Sequence, residues 1–398
     1  MVKGYEFRYG FFMTNSNSII TDNASLIAIS NQFSQASFLA IDTEFLREST
    51  YYPLLCLIQI SDGHQAVAID PLAPDIDLTP IWTLLKNPDI TKVFHAGRQD
   101  LEIFVHLMGE LPKSIYDTQI AAMVFGLGDQ VGYDKLVLHY KSLEIDKSSR
   151  FTDWSKRPLS DNQIHYALAD VIHLAEIYPK MVAELEDAGR SHWLDEELAT
   201  LCDVNIYRPD PESVWQKMKI RNARPALLNR LKYLASWREI EAQKRNIPRN
   251  RLIRDETLLD LAASNPKTLE AFDKIRGFPG GANGRLAIQI LPVLEHAETI
   301  DRADWPKHIQ TRRTEKSPQA VIELLRVLMK EVCERHKVAP KLLANADDLE
   351  ALALSDDADI KAMKGWRFEI FGQAALDLKA GKVALAVENK KLRLVTLN

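Results

Sequence analysis

Two acidic residues, Asp42 and Glu44, stand two apart within Phe38-Leu-Ala-Ile-Asp-Thr-Glu-Phe45. In an extended strand, side chains at i and i+2 share a face, so both carboxylates can reach one point. Their flanks are apolar, as in a strand that is otherwise buried. Buried anions need a counter-charge, which a metal ion supplies. The plainer alternative is a strand end at which Asp42 caps a turn. Asp100 follows Val93-Phe-His-Ala-Gly-Arg98 and falls in a first helical turn, where the macrodipole alone favours an acid. Tyr166 and Asp170 are four apart and hence neighbours on one helix face. A tyrosine there is ordinarily a packed aromatic, whereas an aspartate inside a helix is unfavourable unless it has a task. His95 and His165 are further candidate ligands, or else histidines satisfied within the structure.

Four separated carboxylates suit phosphodiester hydrolysis. That reaction needs a nucleophilic water, stabilised phosphoryl oxygens and a stabilised leaving 3′-oxygen. Two divalent ions about 3.5–4 Å apart meet all three needs. Oxygen-only donors favour Mg²⁺ or Mn²⁺ over zinc. Tyr166 is placed to hold the attacking water. A Gly-rich phosphate loop, HExxH and G-x-S-x-G are all absent from the sequence, which leaves P-loop, zincin and serine-hydrolase chemistry without support.

These residues need a scaffold. Phe38–Phe45, Leu55–Ile60 and Gln65–Asp70 read as three consecutive antiparallel strands, and Val93–Ala96 as a further short strand leading into a helix near Arg98. Ile115–Thr118 leads to a helix around Gln119–Phe125. Leu159–Glu186 is the clearest helix. Ser160 and Gln163 form a capping-box pair, Ile164, Ala167, Leu168, Val171, Leu174 and Ala175 form an apolar stripe, and Pro179 is expected to break or kink it. The sum is a mixed α/β domain over residues 1–205.

Beyond about residue 205 the strand signals stop and the pattern turns helical. Leu258–Ala262 matches Leu349–Ala353 at an offset of 91, and Gly277-Phe278 with Gly284 matches Gly365-Trp366 with Gly372 at 88. An imperfect repeat of a small all-α module is expected, with copies at 206–296 and 319–398 and a polar linker at 297–318.

The length of 398 residues predicts two or three domains, and 46% hydrophobic with 26% charged residues is ordinary for a globular protein. No apolar run is long enough to cross a membrane, and the N-terminus lacks the features of a signal peptide. Cys56, Cys202 and Cys333 lie far apart without a CxxC, which fits a reducing cytoplasm. The net charge of −5 conceals a division. Residues 1–205 carry 15 Lys/Arg against 29 Asp/Glu, and residues 206–398 carry 35 against 26. Between Lys217 and Arg254, 12 basic residues face only Glu239 and Glu241. Such a segment is either a solvated helix face or a polyanion-binding surface that steers phosphates toward an acidic site. Arg245, Arg249 and Arg251 are its candidate phosphate contacts.

The chain resembles ribonuclease D, of the DEDD superfamily of 3′→5′ exonucleases, in the subgroup with tyrosine in the third motif. The resemblance rests on Asp42-Thr43-Glu44, on Val93–Phe104 containing Asp100, and on Tyr166-Ala-Leu-Ala-Asp170. Leu55–Ser61, Tyr116–Thr118 and Phe151–Leu159 also look like this family. The helical repeats are similar to HRDC modules, the second being divergent, while residues 1–15 have no clear counterpart. The resemblance implies a ribonuclease H-like fold and removal of nucleoside 5′-monophosphates from RNA 3′ ends, typically of transfer RNA precursors. It also implies that Asp42, Glu44, Asp100 and Asp170 hold two ions and that Tyr166 holds the water. No obligate protein partner is inferred. The rival readings are a DNA 3′→5′ exonuclease with the same site and a non-catalytic RNA-binding scaffold.

Overall fold

The computed structural model describes residues 19–220, 224–307 and 318–397. The N-terminal extension and residues 308–317 of the expected linker lie outside them. The chain forms two compact units, one made of residues up to Leu46 and from Leu55 to Cys202, the other of Arg47–Leu54 and the residues from Asp203 onward.

The first unit runs β1 (Ile19–Ile20), α1 (Asn23–Phe33), β2 (Phe38–Leu46), β3 (Leu54–Ser61), β4 (Ala66–Ile69), α2 (Thr79–Lys86), β5 (Thr91–Phe94) and α3 (Arg98–Met108). It continues with β6 (Ile115–Asp117), α4 (Thr118–Val124), α5 (Tyr133–Lys141), α6 (Asp161–Asp187) and α7 (Ser191–Leu201). One sheet has the order β1-β4-β3-β2-β5-β6. The strands β3 and β4 pair antiparallel, whereas β2–β5, β5–β6 and β1–β4 are parallel. The sheet is therefore mixed, with the expected meander of β2, β3 and β4 at its centre. Leu39, Ala40 and Ile41 of β2 are buried, as an apolar central strand requires.

Helix α6 packs across β2 and carries the other half of the site. Its capping box is formed, with Ser160 and Gln163 satisfying each other's backbone donors. Ala167, Leu168, Val171, Leu174 and Ala175 bury the expected stripe, each large apolar side chain contributing about 1.5–3 kcal/mol. Pro179 does not end this helix, which continues to Asp187. A proline removes only one backbone donor, and the burial of Ile177 and Met181 on either side holds the helix together.

In the second unit, α8 (Pro225–Arg245), α9 (Arg249–Leu252), α10 (Asp255–Ser264) and α11 (Arg285–Thr299) are followed by α12 (Gln319–His336), α13 (Pro340–Leu343) and α14 (Ala346–Leu354), then a last helix over residues 365–379. Asn246 after α8 and Lys337 after α12 both end their helix in the left-handed region, at φ 48° and 49°. Helix α11 extends to Thr299 with Ala297 buried, so the helical module runs past the expected start of the linker. The expectation that strands stop near residue 205 also fails. A hairpin, β7 (Val383–Glu388) and β8 (Lys391–Thr396), follows the last helix. Among the described residues, no helix is long and apolar enough to cross a membrane.

Candidate active site

Strand β2 presents Asp42 and Glu44, and α6 presents Asp170. One carboxylate oxygen from each lies within 4.8 Å of the others, close enough to share a metal ion. Asp100 stands in the first turn of α3, directly after Ala96, which takes a positive φ of 56°, and Gly97. A Cβ at Gly97 would lie 2.5 Å from the Phe94 side chain, so only glycine permits this turn from strand into helix. The carboxylate of Asp117 accepts from the Gly97 N–H at 2.9 Å and from the Ala96 N–H at 3.2 Å, which fixes the same turn from the opposite side.

Thr43, between the two β2 acids, donates its hydroxyl to Asp100 Oδ1. Burial and the charges of Asp100, Asp170 and Glu44 hold the Asp42 carboxyl well above the usual carboxylate range. Burial and the two aspartates push Glu44 up to about 9, with Arg150 pulling the other way. Burial raises Asp100 to about 6 against the Thr43 hydrogen bond. Burial likewise raises Asp170 to about 7 against a hydrogen bond from Tyr166 and the charge of Arg150. Burial is the first cause of each shift, and for Asp42 and Glu44 the neighbouring carboxylates add to it.

The Tyr166 hydroxyl is held far above the ordinary phenol range by burial and by Asp170, Glu44 and Asp42, so it remains a neutral phenol at physiological pH. Trp154 lies beside it, ring centroids 6.2 Å apart. Tyr133 of α5 donates its hydroxyl to the backbone oxygen of Asp170. His95 is occupied elsewhere, between Thr118 Oγ1 and the Val131 carbonyl, both at 3.0 Å, and is a structural histidine. His165 is solvent-exposed.

Sequence reasoning thus named Asp42, Glu44, Asp100, Tyr166 and Asp170, and missed Thr43, Tyr133 and Arg150. Thr43 lay inside the first motif in plain view, but a hydroxyl between two acids carries no signal of its own. Tyr133 and Arg150 are brought in by loops and helices that spacing does not place.

The candidate RNA contacts fare differently. Arg245 pairs with Glu241 at 2.6 Å and with Gln289 at 3.0 Å. Arg249 meets the fully buried Glu239 at 3.1 Å. Two of the three are therefore engaged within their own unit, and Arg251 is exposed.

A family model described as 3′-5′ exonuclease matches residues 17–186, and one described as HRDC domain matches residues 228–294. The ribonuclease D of Zymomonas mobilis is 45% identical over 383 residues, covering 95% of this chain and 98% of that protein. The ribonuclease D of Gluconacetobacter diazotrophicus is 44% identical, covering 94% of this chain and 96% of that one. Among solved structures, Escherichia coli RNase D, described as an exoribonuclease involved in structured RNA processing, superposes with a TM-score of 0.77. It is 30% identical and covers 91% of this chain and 98% of its own. The chain belongs to the ribonuclease D family.

Proposed function

We propose that this chain is a 3′→5′ exoribonuclease that hydrolyses terminal phosphodiester bonds at the Asp42–Glu44–Asp100–Asp170 cluster and releases nucleoside 5′-monophosphates. The observation that carries the reading is the convergence of Asp42, Glu44 and Asp170 oxygens within 4.8 Å on a mixed α/β scaffold. The family supplies the reaction class, and the cluster supplies a place for it.

The donor set fits hard divalent ions, being oxygen-only, anionic and desolvated. Asp42, Glu44, Asp100 and Asp170 are the residues that would hold two Mg²⁺ or Mn²⁺ ions. When bound, such ions supply the Lewis acidity that makes water nucleophilic near neutral pH and stabilises the leaving 3′-oxygen. The chain's own groups do the positioning. The Tyr166 hydroxyl donates a hydrogen bond to Asp170 and keeps its proton, which leaves the phenol oxygen as an acceptor for a hydrogen bond from the attacking water. Because its own pKa is raised, Tyr166 orients that water rather than acting as the base. Thr43 and Tyr133 fix the Asp100 carboxylate and the Asp170 backbone, so two of the acids are held before substrate arrives.

Structured RNA, with tRNA precursors foremost, is the natural substrate class on this reading. The E. coli relative's described role in structured RNA processing supports it. Incubation with a tRNA precursor bearing a 3′ extension tests the assignment. Stepwise trimming with mononucleotide 5′-phosphates as product supports the reading, and oligonucleotide or 3′-phosphate products refute it.

A further inference from the structure

Between α5 and α6 the chain presents two adjacent side chains that the reaction as described does not use. Phe151 is 91% exposed, and no other large apolar side chain among the described residues is as open to solvent. An aromatic ring this exposed forgoes burial that would stabilise the fold, so its position calls for a reason. The Arg150 guanidinium lies over that ring, 5.3 Å from the centroid. Among the described residues it makes no hydrogen bond or ion pair of its own.

The neighbouring residues are anchored on both sides. Thr152 Oγ1 donates to the Ser149 carbonyl at 2.8 Å and accepts from Gln163 Nε2 at 3.1 Å. Gln163 is the capping-box partner of Ser160 at the start of α6, one turn ahead of Tyr166. Two residues past Thr152, Trp154 is 2% exposed and packs beside the Tyr166 ring. Arg157 closes the segment with two 2.6 Å contacts to the Asp70 carboxylate. Phe151 therefore projects from a pinned turn next to the site. Through the Thr152–Gln163 hydrogen bond and the Trp154–Tyr166 ring contact, this turn is held against the N-terminal part of α6, the helix that carries Asp170.

We propose that Arg150 and Phe151 form a nucleotide clamp at the mouth of the carboxylate cluster. Phe151 stacks a base at the RNA 3′ end, and Arg150 takes a phosphate oxygen of the same strand. The chemistry of the pair matches what a single-stranded 3′ end offers. A ring face accepts any base, since every base has a π-face. A guanidinium offers forked donors to a phosphate that four carboxylates would otherwise repel. The arginine lying over one face of the ring leaves the other face for the base.

This inference rests on the cluster being the hydrolytic centre, and the test separates the two. Steady-state kinetics on a 5′-labelled single-stranded RNA at several salt concentrations would compare the wild-type protein with Phe151→Ala, Phe151→Trp, Arg150→Ala and Asp42→Asn. Loss of one base stack should raise KM about tenfold in Phe151→Ala and lower kcat far less, and Phe151→Trp should restore KM. Arg150→Ala should reduce the slope of log kcat/KM against log salt by about one phosphate contact. Wild-type KM in Phe151→Ala, or a wild-type salt slope in Arg150→Ala, overturns the clamp while leaving the cluster in place. Wild-type turnover in Asp42→Asn overturns the cluster assignment and, with it, the clamp.

Discussion

The hydroxyl of Thr43 donates to Oδ1 of Asp100, 57 residues away in sequence, and so ties the first acidic motif to the second. The acids on β2 and the acid on α3 are thereby oriented together before any ion or substrate binds. Supporting groups of this kind typically hold metal ligands to within the tolerance that catalysis needs. Thr43→Val, nearly the same shape without the donor, should cost about 10–100-fold in activity or metal affinity. Thr43→Ser should retain most of both. A metal titration of kcat on a fixed RNA distinguishes them, and full activity in the valine variant would show that Asp100 is held by other means.

A linked pH effect follows from the raised carboxyl groups. Glu44, Asp170 and Asp100 are pushed to about 9, 7 and 6 from ordinary values of 4.5, 3.8 and 3.8. The folded state therefore binds more protons than the unfolded chain between those limits, and metal-free stability falls as pH rises through this window. Stability from these groups is fully present below about pH 4 and is lost progressively toward pH 9. Divalent ions compete with those protons, so their stabilising effect should grow over the same range. Melting temperatures with Mg²⁺ and with EDTA, taken from pH 5 to about 9, should diverge as pH increases. A constant difference would contradict the mutual repulsion.

Removing one charge from the cluster should separate stability from activity. Asp170→Asn should abolish turnover yet relieve repulsion in the metal-free protein. At pH 8 its melting temperature without metal should rise by about 2–4 °C, corresponding to roughly 1 kcal/mol. Calorimetry alongside an RNA degradation assay checks both halves. A variant both inactive and strongly destabilised would mean that Asp170 serves the fold.

Tyr166→Phe keeps the ring against Trp154 and removes only the hydroxyl. We expect kcat to fall about a hundredfold, the scale seen when one preorganised polar group is deleted from a site, with KM changed far less. A change confined to KM would assign Tyr166 to substrate binding.

The basic helical segment divides into two kinds of arginine. Arg249→Ala would leave the buried Glu239 with only its hydrogen bond from Tyr51. It should destabilise by about 1–2 kcal/mol, a loss tempered by the partial exposure of the arginine. Arg251→Glu should leave the melting temperature unchanged and weaken RNA binding. Chemical denaturation and an RNA titration at two salt concentrations resolve the pair. An Arg251→Glu variant with unaltered RNA affinity would remove this face as a binding surface.

These outcomes also show which features were readable from the residues alone. The strand bearing Asp42 and Glu44 and the capped helix bearing Tyr166 and Asp170 follow from period, capping and the cost of burying acids, all of which are local. The partners of Arg245 and Arg249 are not local in the same sense. A run of 12 cations against two acids looks unbalanced along the chain, yet Glu298, Asp255 and Glu212 come in from elsewhere to pair with Arg230, Arg238 and Lys232. The C-terminal hairpin did leave a signal. An apolar run, Val383–Val387, precedes Asn389-Lys390, and Leu392 and Leu394 alternate with Lys391 and Arg393 after it; the φ values of 50° and 64° at Asn389 and Lys390 are those of a tight hairpin turn. The segment Arg47–Leu54, which follows β2, carries no periodicity, so nothing in it announced that the Tyr51 and Tyr52 N–H groups would both meet Asn246 Oδ1, at 3.1 and 3.0 Å.

The most direct test of the central claim is a gel of 5′-labelled single-stranded RNA incubated with the wild-type chain or Asp42→Asn, with Mg²⁺ or Mn²⁺ and with EDTA. A parallel lane carries the same sequence as DNA. The account predicts an RNA ladder shortening from the 3′ end in the wild-type lanes, absent with EDTA and absent for Asp42→Asn. Preferential trimming of DNA, or an RNA ladder that persists in Asp42→Asn, would contradict it.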